Sequence, residues 1–299
     1  MIAFLSGISV TCFVCSYSVA LLAELSRLFW MWKIRPFVTI GFAIAGIFAH
    51  AAFLVMRSIS ATTTDLVAPA TTTDLVARAT TADASTIVPG ILAGWFDWGL
   101  LCALAIAIWY LVVAIRKPDT AIGYFLLPMV LALIALTELV RDAAPFSRDD
   151  AAGGWSMLHG LAMTVGCAAV LIGFVAGVMF LLQSHRLKNK RAGSTRIKLP
   201  TLEWLQTLNR RCLMVSTVAV AIGFVAGIVM NLNRWGYVPW SNQGVLLSGV
   251  LMLWLLGASV TEFVYAPASR GRKIAYLTLA SLGFLVLTVF GVVMGGHGE

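Results

Sequence analysis

WSMLHGLAMTVGCAAVLIGFVAGVMFLL, residues 155–182, runs for 28 positions without an Asp, Glu, Lys or Arg. A bilayer-spanning helix needs roughly 20 mostly apolar residues. This stretch meets that requirement with room to spare. Seven further segments do the same, near Ile2–Leu22, Pro36–Met56, Ile91–Ile115, Ala121–Val140, Leu213–Leu232, Gly244–Val264 and Ile274–Met294. Of the 299 residues, 60% are hydrophobic and only 11% are charged, against about 25% charged in an average soluble domain. Disorder over the whole length is excluded, because it requires low hydrophobicity and high charge. Five scattered Cys make no disulfide framework. The sequence therefore predicts an all-α, polytopic transmembrane helical bundle of about eight spans, a single integral membrane domain over residues 1–299.

Lys and Arg set the orientation. Sixteen of the 21 fall in odd-numbered connections: Arg27, Lys33 and Arg35; Arg116 and Lys117; the run from Arg186 to Arg211; and Arg270, Arg272 and Lys273. The even connections hold only Arg57, Arg78, Arg141, Arg148 and Arg234. By the positive-inside rule both termini face the outer side, as in a multi-pass protein of a bacterial inner membrane. The net charge of +8 is thus a matter of sidedness and implies no nucleic acid. The first apolar run has no basic leader and reads as a retained helix.

Two connections are long. Residues 58–89 carry a tandem nine-residue repeat, ATTTDLVAP at Ala61–Pro69 and ATTTDLVAR at Ala70–Arg78. Thr/Ala-rich repeats bury little, so a flexible outer loop is expected. Residues 183–201 form a basic cytoplasmic loop suited to anionic headgroups. A second echo is IGFVAG, at Ile172–Gly177 and Ile222–Gly227. Its Gly-x-x-x-Gly spacing predicts close helix packing and says nothing of a ligand.

With this topology, polar groups at membrane depth gather on one side. His50 lies in the outer half of span two, about 10 Å below Arg57 at 1.5 Å per residue. Asp97, Glu138, His159, Arg234 and His297 are placed on the same side, whereas His185 sits in the basic loop and Glu24 and Glu262 mark inner ends. The turn after span six reads Arg234-Trp235-Gly236-Tyr237-Val238-Pro239-Trp240. Trp and Tyr there act as interfacial anchors in many membrane proteins. The same residues also offer an aromatic shelf for a planar ligand, with imidazole for iron and Arg for propionates, which are the demands of a haem. Cys12 and Cys15 form a C-x-x-C without a redox context. No Walker loop, H-E-x-x-H helix or G-x-S-x-G elbow occurs. Pro128 is the one clear break inside a span, fewer than a transporter with paired broken helices would have.

The sequence resembles the cytochrome c assembly proteins, membrane haem-handling proteins of the CcsA and HemX type. The resemblance is carried by WSMLHGLAMTVG at Trp155–Gly166, FLLQSHRLK at Phe180–Lys188, LPTLEWLQTLNRR at Leu199–Arg211, RWGYVPW at Arg234–Trp240 and GVVMGGHGE at the end. It implies that His159 and His297 are paired external ligands of a haem iron, with haem b as the cofactor. Trp235, Tyr237, Trp240 and Arg234 would form the surrounding loop, and His50 would match a histidine that some members place inside the bilayer. It also implies a periplasmic assembly partner and apocytochrome c as partners. Ser241-Asn242-Gln243-Gly244 replaces the acidic end of the family's tryptophan-rich loop. That departure points to a non-enzymatic assembly factor, like the short eight-span members, in preference to a complete synthase. The competing readings are a membrane regulator of tetrapyrrole biosynthesis and a permease-like subunit of an exporter.

Overall fold

The computed structural model describes residues 9–28, 34–67, 92, 94–118, 120–141, 153–189, 198–264 and 270–294, with backbone alone at 28, 60–67, 263–264, 270–271 and 293–294. Within these residues all regular structure is helical. The α-helices are α1 (Val10–Leu25), α2 (Arg35–Val67), α3 (Trp95–Arg116), α4 (Gly123–Leu139), α5 (Gly154–Lys188), α6 (Leu202–Trp235), α7 (Gln243–Val264) and α8 (Arg270–Met294). A 3₁₀ turn, Ser26–Leu28, follows α1. Each coincides with one expected span, so the chain is a polytopic helical membrane protein. Six of the helices are long and apolar enough to cross a bilayer, while α1 and α4 are shorter.

The helices close into two rings of four. In the first, α1 packs on α2, α2 on α3, α3 on α4, and α4 returns to α1. In the second, α5, α6, α7 and α8 follow one another around in the same way, with α6 also touching α8. Phe13, Tyr17, Phe96, Leu100, Ile106 and Tyr110 fill the first ring; Met179, Leu205, Leu213, Leu251 and Leu255 fill the second. The rings meet chiefly where α3 packs on α5. There Trp98 lies so close to Gly160 that a Cβ at that position would sit 2.4 Å from its ring. At the opposite end, the backbone N–H of Ala121 donates to the carbonyl of Lys198 at 3.0 Å, joining the α3–α4 connection to the segment before α6.

Glycine accounts for the tight α5–α6 contact, the most extensive among the described residues. A Cβ on Gly166 would lie 2.7 Å from Val220, and one on Gly173 would lie 3.1 Å from Cys212. Gly177 makes the same kind of room for Thr278 of α8, at 2.8 Å. The first IGFVAG copy thus acts as the spacing suggests.

Helix ends depart from the hydropathy boundaries. α6 begins at Leu202, eleven residues before the expected Leu213, because Thr201 caps it by accepting from the Trp204 N–H. Leu205, Leu208 and Cys212 then bury a stripe at helical spacing. α5 likewise continues to Lys188, into the expected basic loop. At 1.5 Å per residue the 35 residues of α5 reach about 52 Å, well beyond a hydrocarbon core of about 30 Å. α2 continues to Val67, through the start of the first nine-residue repeat; the remaining repeat residues lie outside the described ones.

Candidate functional site

His159 projects from the second turn of α5 onto α6. Its Nδ1–H donates to the Gly223 carbonyl at 2.7 Å. The ring rests over Gly227, where a Cβ would come within 2.9 Å of Nδ1 and 3.0 Å of Cε1. The second IGFVAG copy therefore does more than pack two helices: Gly227 leaves room for an imidazole, and the Gly223 carbonyl receives its N–H. A carbonyl can only accept, so the bond fixes the proton on Nδ1 and leaves Nε2 as the ring's lone-pair donor. A ligating histidine is oriented in this way, by a hydrogen bond from its other nitrogen. His159 is half-buried.

An aromatic rim lies beyond this seat. α6 ends at Gly236, whose φ of 74° is left-handed and therefore suits glycine. The chain then turns through Pro239, with Trp240 N–H donating to the Val238 carbonyl at 2.9 Å. Asn242 caps the next helix by accepting from the Gly244 N–H at 2.8 Å. Trp235, Tyr237 and Trp240 are 50%, 61% and 59% exposed. The Arg234 guanidinium lies 4.7 Å from the centre of the Trp235 ring, a cation–π distance. Eight residues of α6 separate Gly227 from Trp235, so the rim stands about 12 Å beyond the histidine seat. Trp155 stands one turn before His159 on α5, also exposed, at the end of α5 that lies beside the end of α6. Its spacing of four from His159 was the available signal.

His50 sits in the other ring and in a different environment. It is fully buried. Phe13 stacks on its face at 4.3 Å with the rings 3° from parallel, and its Nδ1 lies 3.4 Å from the Tyr17 hydroxyl. Nε2 has no hydrogen-bond partner. Phe53 and Phe96 continue the aromatic packing toward the helix ends. There Arg57 Nε donates to buried Asp97 at 2.6 Å. The guanidiniums of Arg57 and Arg141 lie 5.1 and 5.4 Å from the Phe96 centroid.

The structure therefore brings His159, Arg234, Trp235, Tyr237 and Trp240 to one end of the second ring and places His50 in the first. His297 lies outside the described residues, three positions past the end of α8 at Met294. Among the described residues no three His, Cys, Asp or Glu side chains converge on one metal position. For a haem, the donor set at His159 is suitable: an oriented imidazole, exposed aromatic rings and an arginine. His50, by contrast, is fully buried between Phe13 and Tyr17.

A family model described as Cytochrome C assembly protein matches residues 92–298. The match takes in α3 through α8, and with them His159, the Arg234–Trp240 turn and His297, but not His50. No curated protein and no solved structure matches the chain.

Proposed function

The chain belongs to the cytochrome c assembly protein family and serves c-type cytochrome biogenesis as a multi-pass integral membrane protein; from that premise we propose that it holds haem b at the aromatic end of its second helical ring. His159 and His297 are the axial ligands, Trp235, Tyr237 and Trp240 shelter the macrocycle, and Arg234 pairs with a propionate. The observation that carries this reading is the Nδ1–H bond from His159 to Gly223, which presets the tautomer that an iron ligand requires. Haem supplies the group to be delivered; the protein's residues bind it, orient it and limit its contact with water. The basic asymmetry supports an outward-facing site in a bacterial inner membrane, where apocytochrome c and a periplasmic assembly partner could reach it. His50, enclosed by Phe13 and Tyr17, serves in this reading to join α1 to α2.

The test is the visible spectrum of the detergent-purified protein, oxidised and reduced. His159→Gly and His297→Gly should each lose haem absorbance, and added imidazole should restore it by filling the vacated ligand position. A wild-type spectrum in the His159→Gly protein would overturn the assignment.

A further inference from the structure

At the end of the first ring opposite Asp97, the four helix termini enclose a small polar pocket. Glu24 from α1, Arg35 and Thr39 from α2, and Tyr110 from α3 line it, with Pro36 and Ile40 supplying apolar wall. Glu24, Thr39 and Tyr110 are all more than nine-tenths buried. Yet Glu24 Oε2, Thr39 Oγ1, Tyr110 Oη and Arg35 Nε each lack a hydrogen-bond partner. Gly123 of α4 holds two of them together: a Cβ there would lie 2.8 Å from Glu24 Cγ and 3.2 Å from Tyr110 Cε2. The Tyr124 hydroxyl fixes the end of α1 by donating to the Glu24 carbonyl at 2.9 Å. Buried polar atoms are almost always satisfied, so unsatisfied ones lining one pocket need a polar partner there, a water or a ligand group.

The chemistry of the four atoms defines that ligand. Three are oxygens able to accept, one of them a carboxylate, and a primary ammonium offers three N–H donors to match. The pocket is open to one side, and its inner space admits one group the size of a water, which an ammonium resembles. The fourth atom is a guanidinium N–H beside the carboxylate, placed to donate to an anionic oxygen. The pocket lies where helices end, which for bilayer-spanning helices is the depth of the headgroups. An ammonium and a phosphate joined by two carbons, at that depth, is the headgroup of phosphatidylethanolamine. We propose that Glu24, Thr39, Tyr110 and Arg35 form a binding site for this aminophospholipid, with its ammonium on Glu24 and its phosphate on Arg35.

The experiment is native mass spectrometry of the full-length protein, in detergent, with equimolar phosphatidylethanolamine, phosphatidylcholine and phosphatidylglycerol of identical acyl chains. Phosphatidylethanolamine should be retained roughly tenfold over phosphatidylcholine, whose ammonium has no N–H, as expected for losing charge-assisted bonds in a buried site. Glu24→Gln should remove that preference. Tyr110→Phe and Thr39→Val, which keep side-chain shape, should each weaken it and so test the site even if Glu24→Gln does not fold. Equal retention of the three lipids overturns the proposal, as does an unchanged preference in all three variants. Displacement of the lipid by soluble phosphoethanolamine at the same concentration also overturns it, by assigning the site to a soluble ligand.

Discussion

The two rings treat a histidine in opposite ways. In the first, aromatic side chains close over His50: Phe13 covers its face, Tyr17 meets its edge, and no surface remains. In the second, glycine opens a space under His159, and the backbone of Gly223 fixes its orientation. Large neighbours turn an imidazole into part of a core; absent side chains leave it oriented and half-buried. The difference resides in the neighbouring helix and not in the histidine.

The sharpest way to break this comparison is Phe13→Ala. Removing a fully buried aromatic ring should cost about 3–5 kcal/mol of stability, read by thermal unfolding in detergent. The haem absorbance of the folded fraction should not change, because His159 belongs to the other ring. A parallel loss of haem would show that the first ring holds the ligand. Next is Asp97→Asn, which leaves Arg57 without its charged partner. Since Arg57 is partly exposed, the loss should be about 2 kcal/mol, less than for a fully buried pair. Stability, and not the spectrum, should again be affected. Gly227→Ala reverses the pattern. A methyl 2.9 Å from His159 Nδ1 should tilt the ring and weaken haem retention about tenfold, or about 1.4 kcal/mol, with a smaller effect on unfolding. The smallest effect is expected from deleting residues 70–78, one repeat unit. Ordering such a polar segment would cost about 1–2 kcal/mol of backbone entropy per residue with little burial in return, so the yield of membrane-inserted protein should stay the same.

Hydropathy made the eight helices legible because a lipid interior tolerates little other than a saturated helix. It misplaced the start of α6 because Arg210 and Arg211 end the apolar run while the helix itself continues. That extension is held by the Thr201 cap and by Leu205 and Leu208, a signal of period and capping rather than of hydropathy. The position of His159 near a helix end could be read from its sequence spacing, and so could the aromatic turn. Its partner could not. Gly223 is 64 residues away, and IGFVAG reads identically in both copies, although one receives Cys212 and Thr278 and the other receives Met163 and His159. Likewise, the residues that enclose His50 come mainly from another helix. The unpartnered atoms around Glu24 were invisible for the same reason, since three helices contribute them.

The bond from the Ala121 N–H to the Lys198 carbonyl has a consequence for how this chain tolerates change over generations. Both of its atoms are backbone atoms, so substitution at Lys198 leaves the acceptor in place. At position 121 only proline removes the donor. The exposed Lys198 side chain can drift while the clasp between the two halves persists, whereas fully buried Ala121 has no room for a larger one. This one link between the rings is therefore inherited through the peptide skeleton, with its acceptor kept under any replacement at Lys198.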